Sequence, residues 1–535
     1  MEERNLRHYA PPVLLLGIML ALMLGSYWND SATFDEKAHI PAGYANLFLG
    51  DYRLNPEHPP VVKALAALPL VFIRPNFPTD VASWRDAVNG QWDQGQLFLY
   101  GAGNNADHIL RLARLPIILL AVFFGWLLWR WTEKKFDRRA ANLTLFFYAF
   151  SPTFLAHSRL VTTDLGASFA FFIGIAAFLK FLDRPSWKNV FLAGLALGLA
   201  ELIKFSLILL IPIYALLIII AAVTRTEFKL KEFTGVFLKL TGKAVVVGAV
   251  GLVLIWAVYT YATFNYPAEK QLSDTAAILG VSPLGRLADF NLFLVKTPFL
   301  RPLGQYLLGV LMVIQRSGGG NTTYYWGEIS AAGWRSYFPM LYLFKEPLAF
   351  HILSLTALGF AVRRIKNAKV KSRRKFLEWL RAHPIETASF VFIAAYWLSS
   401  VSSRLNLGIR HVLPTFPFIY LLVAKEISGW LAPRAAGRTT TWPEWLRGIW
   451  QRYITTVPRR FFVSGMILWQ ALSVAYVFPA FLSYYNKLAP LAARAAGAAV
   501  AKGNLPLTGL DGGLENGYLV AVDSNYDWGQ DLKRL

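Results

Sequence analysis

The chain contains no cysteine, which excludes disulfides and thiolate metal sites and leaves the redox compartment open. Charge is scarce as well. Asp, Glu, Lys and Arg make up 16% of the 535 residues, whereas hydrophobic residues make up 55% and aromatic residues 15%. A soluble domain carries about 25% charged residues. That deficit, together with a mean hydropathy of +0.40, excludes a soluble globular class and leaves an all-α polytopic membrane protein. Acids are the scarcer sign, 32 Asp and Glu against 54 Lys and Arg, for a net charge of +22. In a soluble protein such an excess would point to nucleic acid. Here the basic residues cluster in short connections between apolar runs, where cytoplasmic loops of membrane proteins carry them, so no nucleic-acid partner is expected. No internal repeat or low-complexity tract stands out.

About eleven apolar runs are long enough to cross a bilayer as helices. They fall at 11–28, 109–131, 139–156, 165–182, 189–203, 205–223, 243–263, 346–363, 384–401, 411–428 and 461–479. The first exceeds a signal-peptide core and no cleavage pattern follows it, so a retained helix is expected. With the N-terminus in the cytoplasm, the cytoplasmic connections hold most of the clustered Lys and Arg, including VRRIKNAKVKSRRK at 362–375. The external side then receives two long loops, 29–107 and 264–345, and long loops usually carry function. The apolar stretches at 59–72 and 303–315 are too short to span and are expected to lie along the membrane surface. The second leads into a flexible glycine hinge, Gly318 to Gly320, and an aromatic cluster, Tyr324, Tyr325 and Trp326.

Acids concentrate where they are costly, beside the membrane. FDEKAHIPAGY (34–44) and NPEHPP (55–60) follow the first run, and Asp164 closes AHSRLVTTD (156–164) at another external end. Taken alone, Asp35 and Glu36 read as first-turn acids of a surface helix. Together with Glu57, His58, His39 and Asp164 they suggest proton transfer or metal binding. Asp35, Glu57, His58 and Asp164 offer oxygen donors and an imidazole to Mg²⁺, Mn²⁺ or Zn²⁺, a divalent metal that is not expected to be obligatory. Basic residues also stand at the external interface, against the general trend: Lys63, Arg159, Lys204, Lys345, Arg404 and Arg410. Each alone reads as a snorkelling side chain. Arg404 and Arg410 carry more weight because they flank a span in one very short loop. Tyr324, Trp326 and Trp334 could stack on a sugar, although interfacial belts are the commoner reason for such residues.

An acidic pair after the first span, a Glu-X-Pro-Pro element in the same loop, and Arg159 with Asp164 five residues later resemble the protein O-mannosyltransferase and aminoarabinose transferase superfamily. These are GT-C glycosyltransferases of the membrane. The likeness spans roughly residues 10–430. It implies an inverting transfer of a sugar from a polyprenyl-phosphate donor to a hydroxyl on protein, lipid or glycan, at the external face of a bacterial or archaeal cytoplasmic membrane. By this resemblance Asp35 matches the catalytic base, Glu36 its partner, Glu57 the second acid of the first loop and Asp164 the acid of the second external loop. His58 stands where aminoarabinose transferases carry a phosphate-binding Lys.

The residue types suit that chemistry independently. Phosphate is already a good leaving group, so the reaction needs a carboxylate to take the acceptor proton and cations to hold the phosphate. His58, Lys63, Arg159, Lys345, Arg404 and Arg410 are the candidates for the second task. Two other classes compete. A lipid-linked transporter or flippase would place ionisable groups mid-span, a pattern Glu201 and Lys204 fit slightly. A scaffold would leave the acids unexplained. An oligosaccharyltransferase is disfavoured because its Trp-Trp-Asp element is missing, YYWGE (324–328) and YDWGQ (526–530) being superficial echoes.

Residues 1–481 are therefore expected to form the transmembrane catalytic domain, and 482–535 an external segment. Its end, DGGLENGYLVAVDSNYDWGQDLKRL (511–535), reads as a short strand, YLVAV, among turn residues. It resembles the start of a soluble domain in some bacterial members. About 55 residues rarely build a core alone, so a truncated domain is preferred over a small cap on the membrane part.

Overall fold

The computed structural model describes residues 2–227, 229–280, 284–367, 372–432, 442, 456–489 and 517–533. Each expected apolar run is met by helix. Among the described residues, eight helices are long and apolar enough to cross a membrane: His8–Tyr27, Ala106–Lys135, Asp164–Asp183, Phe205–Thr226, Leu230–Ala262, Leu348–Asn367, Pro384–Ser402 and Val457–Val477. Three expected spans are shorter: Arg138–Ala149, Trp187–Glu201 and Phe416–Leu431. Their ends have local causes. Ser151 caps a new helix, Pro152–His157, with proline at its first position, where the missing N–H costs nothing. The tight turns Ile409–His411 and Leu413–Thr415 remove residues 411–415 from the last of the three.

The spans pack through one continuous core that includes Phe124, Trp129, Phe171, Phe178 and Tyr420. Trp187–Glu201 and Leu230–Ala262 approach through glycines. A Cβ on Gly198 would lie 2.7 Å from the Gly251 carbonyl oxygen, and one on Gly194 would lie 2.6 Å from the Val250 Cβ. The main chains therefore touch directly, as small-xxx-small crossings do in membranes.

Short helices cover one end of the bundle. Phe34–Tyr44 follows the first span, Pro60–Ala67 continues as a tight helix over Leu68–Phe72, and Gln91–Gln96 packs nearby. Arg301–Gly319 takes the place of the second expected surface helix. Gly318 and Gly319 are helical there, so the expected hinge is confined to Gly320, whose φ of 80° ends the helix. A Cβ at Gly320 would also meet the Ala331 carbonyl oxygen at 2.0 Å. Thr323–Tyr325 and Glu328–Ser330 form an antiparallel pair, the one ladder among the described residues. YLVAV is not a strand. Gly517–Leu519 and Asp523–Asn525 are single tight turns, and residues 517–533 are held on the helical body by side-chain and main-chain hydrogen bonds. The strand pattern fails because tertiary partners, not a neighbouring strand, take up its main-chain groups.

At the opposite end, a cavity of about 1090 Å³ lies between helix termini, with Lys134, Lys135, Lys180, Arg225 and Arg381 among its lining residues. It lies away from the acids described next.

Candidate active site

The Phe34–Tyr44 helix carries the first acids, and its first turn is fixed by Glu36. The Glu36 carboxylate accepts from the backbone N–H and the hydroxyl of Thr33 at 2.9 and 3.1 Å. It also accepts from the Val161 N–H at 3.0 Å and from two nitrogens of Arg114 at 2.8 and 2.6 Å. Arg114 is wholly buried and donates as well to the carbonyls of Ser31 and Asp30. Burial pushes the Glu36 carboxyl up, but Arg114 and the two backbone N–H groups outweigh it and hold the group below its ordinary value. Glu36 is thus a saturated anchor that ties the helix to the Ala106–Lys135 span and to the 157–163 turn.

Asp35 differs. It accepts one hydrogen bond, from Arg410 Nη1 at 2.8 Å, and its side chain remains 21% exposed. The same Nη1 lies 3.5 Å from Asp164, whose other oxygen takes 2.6 Å from Lys204 Nζ. Asp164 opens the Asp164–Asp183 helix, Lys204 follows the Trp187–Glu201 helix, and Arg410 sits in a turn before Phe416–Leu431. Four elements therefore deliver an Asp35–Arg410–Asp164–Lys204 chain of alternating charge to one end of the bundle. Arg410 also donates through Nε to the Leu407 carbonyl at 3.2 Å, and its guanidinium lies 4.0 Å from the centre of the Trp528 ring. Asp35 and Asp164, with a smaller contribution from Asp523, raise the Arg410 pKa against the effect of burial.

The other predicted residues divide into neighbours and outliers. His39 and His58 meet edge to face at 4.7 Å, and His39 Nδ1 bonds the Val161 carbonyl at 2.9 Å. Burial, then the charges of His39, Lys63, Lys204 and Arg316, push the His58 imidazole well below its usual range. Glu57 is held by Gln91 at 2.6 Å and Asn89 at 3.2 Å. Lys63 is wholly buried and donates to the backbone and side-chain oxygens of Asn55 at 2.8 and 3.1 Å. Burial, opposed by Glu57, brings its amine down to about 7.

Arg159 is buried and paired with Asp30, which ties the 157–163 turn to the end of the first span. Lys345 is buried against the Tyr485 ring and donates to the carbonyls of Leu482 and Asn525 at 2.7 and 2.8 Å. Arg404 is exposed beside Gly320. Tyr324 and Trp326 lie on the two-stranded turn, where their contacts run to Leu519 and Val520 of the C-terminal segment at 3.4 and 3.1 Å. Trp334 donates its N–H to Asn406. Glu201 receives the Tyr306 hydroxyl at 3.0 Å. Among the described residues no group of three or more His, Asp or Glu is placed to hold a metal ion: Arg410 stands between Asp35 and Asp164, and amides occupy Glu57.

Sequence reasoning missed Arg114 and Trp528. Arg114 is hidden in an apolar span, where a lone buried Arg signals a partner acid. Trp528 belongs to the polar and aromatic DSNYDWGQD tract (523–531), whose density of side-chain function was the available signal.

Residues 106–256 match the family described as dolichyl-phosphate-mannose-protein mannosyltransferase. That stretch contains Arg159 and Asp164, one of the elements that carry the resemblance read from the sequence, and leaves out the first-loop acids. No curated protein matches the sequence. The oligosaccharyltransferase AglB of Archaeoglobus fulgidus, in complex with an inhibitory peptide and a dolichol-phosphate, is a similar solved structure. It shares 15% identity at a TM-score of 0.47, over 88% of this chain and 56% of that one. ArnT from Cupriavidus metallidurans bound to undecaprenyl phosphate shares 14% identity at 0.45, over 90% and 72%. The S. cerevisiae protein O-mannosyltransferase complex bound to the sugar donor shares 18% at 0.35, over 48% and 34%. The chain spans little more than half the length of the archaeal oligosaccharyltransferase.

Proposed function

We propose that this protein is a membrane glycosyltransferase that moves a sugar from a polyprenyl-phosphate donor to an acceptor hydroxyl, on protein, lipid or glycan, at the external membrane face. The observation that supports it most is the pairing of a partly exposed carboxylate, Asp35, with Arg410, which Asp164 links to a second cation, Lys204, at one end of the bundle. The Asp35 oxygen not bonded to Arg410 takes the acceptor proton. The acceptor oxygen then attacks the anomeric carbon from the face opposite the phosphate. The carbon–oxygen bond to phosphate breaks with its electron pair going to the departing phosphate, which inverts the anomeric centre. Arg410, with His58 as a further donor, holds that phosphate, and Asp164 positions Arg410 and Lys204. Glu36 positions the helix and takes no proton. Arg404 remains a candidate for the wider phosphate surface, Glu57 for the acceptor side, and Tyr324 and Trp326 for the sugar, whereas Lys63, Arg159 and Lys345 are buried and engaged by Asn55, Asp30 and the Leu482 and Asn525 carbonyls and so do not fit that task.

Asp35→Asn is expected to lower turnover by roughly 10²- to 10⁴-fold while melting and expression stay near wild type. The assay is sugar transfer from a polyprenyl-phosphate donor by purified protein in nanodiscs. Near wild-type turnover would remove Asp35 from the role of base.

A further inference from the structure

The C-terminal turn at Trp528–Gln530 does more than rest on the bundle. Its main chain grips the segment that starts the Asp35 helix: the Phe34 N–H donates to the Trp528 carbonyl at 3.1 Å, and the Ser31 N–H to the Gln530 carbonyl at 2.8 Å. Gly529 permits this approach with φ +95°, and a Cβ there would lie 3.3 Å from the Ala32 carbonyl oxygen. The Trp528 N–H is taken by Gln530 Oε1 at 2.7 Å, which rigidifies the turn. Asn525 adds a second grip, its Oδ1 receiving the Ile409 N–H at 2.9 Å next to Arg410, while Ser524 bonds the Leu407 carbonyl at 2.8 Å. One short segment therefore holds both backbones that carry the Asp35–Arg410 pair.

The Trp528 ring, 5% exposed, lies against the Arg410 guanidinium. Stacking fixes the plane of a guanidinium and leaves its in-plane N–H groups for directed bonds. Nη1 serves the two carboxylates and Nε the Leu407 carbonyl, while Nη2 makes no hydrogen bond among the described residues. We propose that Trp528 is a positioning residue of the catalytic centre: it sets the Arg410 plane so that the free Nη2 edge meets the donor phosphate, and its turn locks the start of the Asp35 helix. This inference rests on the donor-phosphate role proposed for Arg410.

The test measures binding of undecaprenyl phosphate to full-length protein in nanodiscs for wild type, Arg410→Ala, Trp528→Leu and Trp528→Phe, with melting temperature as the folding control. Trp528→Leu removes the stacking face and should weaken binding roughly tenfold, whereas Trp528→Phe should recover most of it, and neither should melt much earlier than wild type. Hydrogen exchange gives a readout that needs no ligand: Gly529→Val should speed exchange at the Ser31 and Phe34 amides, with the Arg138–Ala149 helix unchanged. If Arg410→Ala loses binding and Trp528→Leu does not, the positioning role is overturned and the phosphate role stands. If neither variant loses binding, the phosphate role itself fails and takes the aiming of Nη2 with it. Unchanged exchange in Gly529→Val would overturn the grip on the Asp35 helix.

Discussion

Asp35 and Glu36 are adjacent, yet Glu36 accepts five hydrogen bonds and is wholly buried, whereas Asp35 accepts one and reaches solvent. Adjacent helical residues point about 100° apart, so one carboxylate can face the bundle and the other the site. Saturation leaves Glu36 no open lone pair, and partial exposure leaves one Asp35 oxygen open, which is what the proposed base requires. Lys63 supplies a measurable signature at the same scale. Its amine, pushed down to about 7 by burial, would titrate near its ordinary value in the unfolded chain. The unfolded state therefore binds more protons than the folded state above pH 7, and folding stability should rise with pH from about 7 until the unfolded amine titrates near pH 10.4. Below pH 7 both states are protonated and the burial cost is fully present. Melting temperatures of wild type and Lys63→Met from pH 6 to 9 check this. The wild-type curve should climb relative to the variant, and parallel curves would refute it.

At the scale of elements, the apolar runs were legible because a bilayer demands length and hydrophobicity that few other structures need. The first-turn acids, the short helix after Pro59 and the placing of Arg410 beside them were legible for similar local reasons: proline at a helix start, acids at a positive helix end, a cation against the charge trend. What escaped were contacts with no local trace. Trp528 meets Arg410 across more than a hundred residues, and nothing near Gly318 or Gly319 reveals that the helix runs on through them. The glycine crossing of Trp187–Glu201 with Leu230–Ala262 is another such contact, and it yields a paired prediction. Gly198→Ala places a Cβ 2.7 Å from the Gly251 carbonyl oxygen, so the helices must part, whereas a Cβ at Gly248 meets nothing within 4 Å. Gly198→Ala should cost about 1–3 kcal/mol in reversible detergent unfolding. Gly248→Ala should be neutral or gain up to about 1 kcal/mol from helix propensity. Equal stabilities would show that the crossing tolerates separation.

For the whole molecule, charge and site occupy opposite ends of the bundle. Helix termini near Lys134, Lys180 and Arg381 mark one end and the Asp35–Arg410 pair the other. The absence of native cysteine makes this orientation directly measurable. A single cysteine at Ile329, 74% exposed on the Glu328–Ser330 strand, should react with an impermeant maleimide in intact cells. One at Phe376, 49% exposed in Arg373–Ala382, should react only after permeabilisation. The reverse pattern would place the acids in the cytoplasm and exclude the external-face reading.

The hydrogen bond from the Lys533 N–H to Ser31 Oγ joins residues 502 apart in the chain. A ribosome working at roughly 5–20 residues per second needs about 25–100 s to cover that distance. Throughout that interval the Asp35 helix lacks the turn that grips it, and Arg410, once made, lacks its aromatic backing until Trp528 follows. The contacts that fix the start of the Asp35 helix therefore form only after each of the eight long apolar helices has been made.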